Sequence, residues 1–165
     1  MLRPTRSSLV ALILALPALV GCGLSPVGTT IPYDPSDGVS ASVGQVQVRN
    51  LLIVGSTADQ PGVASGVLLN DGAEPVTVTL STATSPPVPV DVPAGGSVQL
   101  GGAGPAATPV PGTPGTAVVQ FAALGQPAGA VVPVTLSSPS GGTTTVQVPV
   151  LAATLEYATI TPTAG

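Results

Sequence analysis

One cysteine, seven carboxylates and neither histidine nor lysine bound what the side chains of this 165-residue chain can do. A serine–histidine–aspartate triad is excluded, and so are a serine–lysine dyad and a cysteine–histidine pair. Zinc sites built on histidine or several cysteines are excluded for the same reason. The remaining reactive groups are the acids Asp34, Asp37, Asp59, Asp71, Glu74, Asp91 and Glu156. Two carboxylates flanking a sugar linkage can hydrolyse it. Most of these seven lie in turn clusters or at strand ends, where acids are ordinary, so the chain reads as a non-enzyme that carries no cofactor. The chemically distinctive residue is Cys22. It follows Leu19-Val20-Gly21, which ends an apolar run over residues 9–20 preceded by Arg3 and Arg6. A charged start, a short apolar run and a small residue before a cut site make a secretory signal. The run is too short for a spanning helix, which needs about 20 apolar residues.

Leu19-Val20-Gly21-Cys22 resembles the lipobox of bacterial lipoproteins. The resemblance implies a diacylglyceryl group on the Cys22 thiol and cleavage just before it. Residues 1–21 are then a signal peptide, and the mature protein sits on the extracytoplasmic face of a bacterial cell membrane. Each buried methylene of acyl chain contributes about 0.8 kcal/mol, so two long chains hold a protein far more durably than one. A lipidated Cys22 is a thioether with no thiolate for metal or redox chemistry. With no second cysteine there is no internal disulfide.

Charge removes further classes. Arg3 and Arg6 leave with the signal, so Arg49 alone stands against all seven acids. Nucleic-acid binding draws its affinity from clustered Lys and Arg that displace counterions, which rules out that partner. A polybasic hold on anionic lipid is ruled out likewise. The membrane is therefore a partner through the lipid anchor only. Hydrophobic residues reach 44% while aromatics are 2%, so Val, Leu and Ala must build the core. Twenty prolines and 21 glycines disfavour long helices. The abundant Val and Thr favour strands.

Residues 22–42, the anchor cysteine followed by Gly, Ser, Pro, Thr and Asp, read as a flexible tether. Within it, Tyr33 with Asp34 and Asp37 is either a small-ligand or cation site or, the favoured reading, a solvated Pro-Ser-Asp-Gly turn. A β-sandwich domain is expected over residues 43–155, with a short tail over 156–165. Gln45-Val46-Gln47-Val48-Arg49 alternates, and Leu51-Leu52-Ile53-Val54 does not. The second half of that strand is either covered on both faces or re-aimed by a bulge. Residues 63–69 form a further strand, and 70–75 (Asn-Asp-Gly-Ala-Glu-Pro) a turn. Val76, Val78 and Leu80 alternate with Thr77, Thr79 and Ser81 as a half-buried strand does. Residues 88–92 contain Pro89, which suits an edge strand. Residues 93–96 turn the chain into Ser97-Val98-Gln99-Leu100. Strands are expected again at 117–123, 131–137 and 143–151. Seven or eight short strands with frequent turns imply an all-β, antiparallel sandwich of the immunoglobulin-like or cupredoxin-like kind.

Four pieces of this order resemble the periplasmic copper chaperones of the PCu(A)C type. They are Asn70-Asp71-Gly72-Ala73-Glu74-Pro75-Val76, Val92-Pro93-Ala94-Gly95-Gly96-Ser97-Val98, residues 129–136 and residues 142–150. The resemblance implies a cupredoxin-like sandwich. In that family, Met thioethers and His imidazoles bind Cu(I), soft donors for a soft ion. This chain has no histidine, and its one methionine is Met1. The family's His-x-Met pair falls near Val118 and Gln120, neither of which is a Cu(I) ligand. No metal site is expected.

The expectation is a non-catalytic binding or scaffold module of the cell envelope, without a copper site, whose partner is another envelope protein. The alternative is a carrier of a small ligand or metal. The Gly/Pro/Ala-rich stretch 101–116, with Pro105, Thr108, Pro111 and Thr113, is the candidate interaction loop, since long loops in compact domains are usually functional or disordered. Phe121, just after it, is either a core aromatic or an interface anchor. The Thr-Pro pairs at Thr108, Thr113 and Thr161 are either acceptors for O-linked sugar or plain polar segments.

Overall fold

Valine and leucine at every second position of residues 76–80 do fold as a half-buried strand, with Val78 and Leu80 wholly enclosed. The computed structural model describes residues 36–101, 115–160 and 162. Cys22, Tyr33, Asp34, Pro105, Thr108, Pro111 and Thr113 lie outside the described residues. Ten strands are described: β1 (Val39–Val43), β2 (Val46–Val54), β3 (Gly62–Asn70), β4 (Val76–Thr82), β5 (Ser85–Val92), β6 (Ser97–Leu100), β7 (Gly115–Ala117), β8 (Val119–Phe121), β9 (Val131–Ser138) and β10 (Gly142–Leu151).

The strands hydrogen-bond in the order β5-β4-β9-β10-β2-β3-β6-β7, with β1 also on β2 and β8 also on β3. The fold is an all-β sandwich. One layer is β5-β4-β9-β10 and the other is built on β2 and β3. β10 belongs to both. Gly142 to Pro149 pair with β9, and then Val150 and Leu151 run parallel to Ile53 and Val54 of β2. Most pairs are antiparallel, and β6–β7 is the second parallel one. Between the layers lies a core of small aliphatic side chains, including Val46, Val48, Leu51, Ile53, Leu68, Val78, Leu80, Val134, Leu136 and Val148, with Phe121 among them.

In β2 both sequence alternatives hold. The pairing with β3 shifts register between Arg49 and Leu52, and Asn50 takes a left-handed φ of 50°. This bulge adds one residue, so the inward set passes from Val46 and Val48 to Leu51 and Ile53. Leu52 and Val54, on the other face, are buried as well. Gly66 lies across from the bulge, where an added Cβ would sit 3.0 Å from the carbonyl oxygens of both Arg49 and Asn50. The bulged strand can lie this close because its neighbour has no side chain there.

Two elements depart from the sequence reading. β1 occupies part of the stretch assigned to the tether. Val39, Ala41 and Val43 alternate with Ser40 and Ser42, and β1 pairs with β2 from Val43↔Val46 to Val39↔Leu51. The expected strand over 117–123 is instead two short ones. β7 runs parallel to β6, and after the exposed Val118 the chain changes partner, so that β8 runs antiparallel to β3. Pro89 does mark an edge: β5 ends the strand order, and it starts at Ser85 rather than 88.

Candidate functional site

The residues singled out for chemistry are best placed by the turns that carry them. Asn70 ends β3 and is 1% exposed. Its Nδ2 donates to the carbonyl of Glu74 at 2.7 Å, of Pro93 at 3.2 Å and of Val92 at 3.4 Å. Its Oδ1 accepts from the Gly72 amide at 2.9 Å. The backbone joins the same two turns, through Asn70 N to Gly96 O and Gly95 N to Gly72 O, both at 2.9 Å. The turns at 70–75 and 93–96 are thus one hydrogen-bonded unit, with every polar atom of the Asn70 side chain engaged. That is the geometry of a structural fastener: the amide donors and the carbonyl oxygen all meet backbone groups of the two turns.

The acids go to separate places. Asp71 accepts from Gln47 Nε2, and Gln47 Oε1 in turn accepts from Arg49. Asp91 on β5 accepts from Thr77 Oγ1 at 2.6 Å, across the Thr77↔Asp91 pair. Asp37 accepts from the Tyr157 hydroxyl at 2.7 Å. All six described carboxylates are exposed. No group of three or more His, Cys, Asp or Glu that could hold a metal ion occurs among the described residues. Asp71 and Glu74 are turn residues, as their sequence context implied.

Tyr157 belongs to a short 3-10 turn, Leu155–Tyr157. Its bond to Asp37 ties residues read as a tail to residues read as a tether, a contact that no local pattern announces. The hydrogen bond to Asp37, then burial and the negative charges of Asp37 and Glu156, push the Tyr157 phenol up to about 12 from an ordinary 10.0. Folded chain therefore holds this proton more tightly than unfolded chain. The stabilisation is complete below about pH 10 and is lost as pH rises towards about 12. The pair is solvent-exposed, so the gain in stability is small. With no tryptophan to interfere, tyrosinate absorbance should show one phenol titrating late, and Asp37→Asn should bring it down towards 10. An unchanged titration in that variant would remove the assigned cause.

Val118 and Gln120, near which the sequence resemblance put the family's copper-binding pair, lie on either side of Val119, where β7 gives way to β8. Val118 is 39% exposed and has no donor atom. The donors at this place do not fit a Cu(I) ion, which calls for thioether or imidazole. Phe121, one residue beyond Gln120, is fully enclosed and is a core aromatic. The interface-anchor reading of Phe121 fails, because a ring at 0% exposure has no face for a partner.

One recess remains. The end of β4 and the turn after it (Thr82, Ala83, Thr84) face Leu124, Gly125 and Gln126 and the start of β9 (Val132, Pro133) across a shallow groove of about 200 Å³. None of its lining residues is charged. The Thr84 hydroxyl is occupied by the Ala123 carbonyl at 2.7 Å, and Ser85 exchanges hydrogen bonds with the Ala123 backbone at 3.1 and 3.3 Å. These bonds fasten the start of β5 to the segment after β8.

No family model and no curated protein matches the chain. Among solved structures, the chain is similar to the apo PCuAC domain from PmoF1, with 14% identity and a TM-score of 0.51 over 69% of this chain and 99% of that one. It is also similar to the copper-bound PCuAC domain from PmoF2, with 15% identity, a TM-score of 0.47 and coverages of 69% and 98%. The apo form of that domain gives 14%, 0.47, 69% and 95%. The likeness to the PmoF1 domain shows that the chain has the PCuAC fold, as the four sequence pieces implied.

Proposed function

We propose that this chain is a lipid-anchored module of the bacterial cell envelope that binds another envelope protein and performs no catalysis, on a copper-chaperone fold emptied of copper ligands. One observation carries the reading: a chain with this fold contains no histidine, and its sole methionine is Met1, inside the signal. The dispersal of the described acids supports a non-catalytic role, because paired-carboxylate chemistry needs two of them facing one substrate.

Two features favour protein binding. The stretch 102–114 leaves and rejoins the sandwich at fixed points, since Val98 pairs with Gly115 and Gly101 N donates to Ala117 O at 3.2 Å. The strand that follows it, β7, ends the strand order opposite β5. The β5 edge is unsuited to adding a strand: Pro86, Pro87 and Pro89 have no amide to donate. Thr108 and Thr113, with Pro105 and Pro111, are the loop residues proposed to meet the partner.

Crosslinking and fractionation of intact cells test both halves of this reading. Wild-type chain is expected in the membrane fraction, labelled by a fatty-acid probe and joined to one discrete envelope protein. Cys22→Ala is expected to lose the label and either leave the membrane or keep its signal uncleaved. Unchanged labelling of Cys22→Ala would overturn the anchor, and a wild-type chain that captures no protein would overturn the binding role.

A further inference from the structure

We draw no further inference here: the strongest candidate, the shallow uncharged groove between the turn after β4 and the Leu124–Gln126 segment, carries none because nothing in the structure shows what covers it.

Discussion

Asn70→Leu is expected to lower the unfolding free energy by about 3 kcal/mol, read from urea denaturation of the domain. Leucine is close in size, so the loss comes from polarity and not from a cavity. It removes the donor that meets the carbonyls of Glu74, Val92 and Pro93, and the acceptor for the Gly72 amide. A buried polar group left without a partner costs about 1–3 kcal/mol, and water reaches only part of this site. Asn70→Asp discriminates further. It keeps an oxygen for Gly72 but turns a second oxygen, bearing charge, towards three carbonyls. It should therefore be no more stable than the leucine variant at neutral pH. A change below about 0.5 kcal/mol in both variants, the range of ordinary surface substitutions, would show that the two turns hold together without their fastener.

Phe121→Ala is expected to be the more damaging change, at about 4 kcal/mol, within the range for deleting a buried phenylalanine ring. Phe121 is 0% exposed and is the largest of the fully buried side chains among the described residues. Its strand spans three residues, and Gly62↔Phe121 is one of only three pairs that hold β8 to β3. So short a strand is held mainly by the side chains it buries, Val119 and Phe121. Domains of this size are stable by about 5–15 kcal/mol in total, so the loss is a large share. Phe121→Leu keeps the apolar character and should cost less than about 1.5 kcal/mol. If Phe121→Ala instead left stability within about 0.5 kcal/mol of wild type, the ring would not be a core residue.

How far the sequence spoke depends on the range of the interaction concerned. Period-two alternation is local, and it identified β4 and the first half of β2. Proline chemistry is local too, and Pro89 correctly placed its strand at an edge. The two turns at 70–75 and 93–96 were legible from their Asn, Gly and Pro content. Their union through Asn70 was not, because it joins residues more than twenty apart. β1 did carry a signal: Val39-Ser40-Ala41-Ser42-Val43 alternates as cleanly as Gln45–Arg49. Surrounding Gly, Pro, Ser and Asp made it read as tether, and pairing with β2 decided otherwise. The break at Val118 had no local signal at all. It exists because the chain exchanges β6 for β3 as its neighbour, and that choice is made by the rest of the sheet.

The candidate site was legible mainly as a set of missing donors. The amino-acid types alone removed imidazole and lysine ammonium chemistry. The fold then put Val118 and Gln120 beside the β7–β8 junction. The Tyr157–Asp37 bond lay beyond any sequence reading, since it spans 120 positions.

Titration of the purified mature domain with Cu(I) against a chromophoric chelator puts the central claim to the test. The chelator should keep its copper at every protein concentration, as expected of a sandwich with neither thioether nor imidazole. Stoichiometric transfer of Cu(I) to the protein would contradict the account, because it would require a copper site made from side chains assigned here to packing and hydrogen bonding.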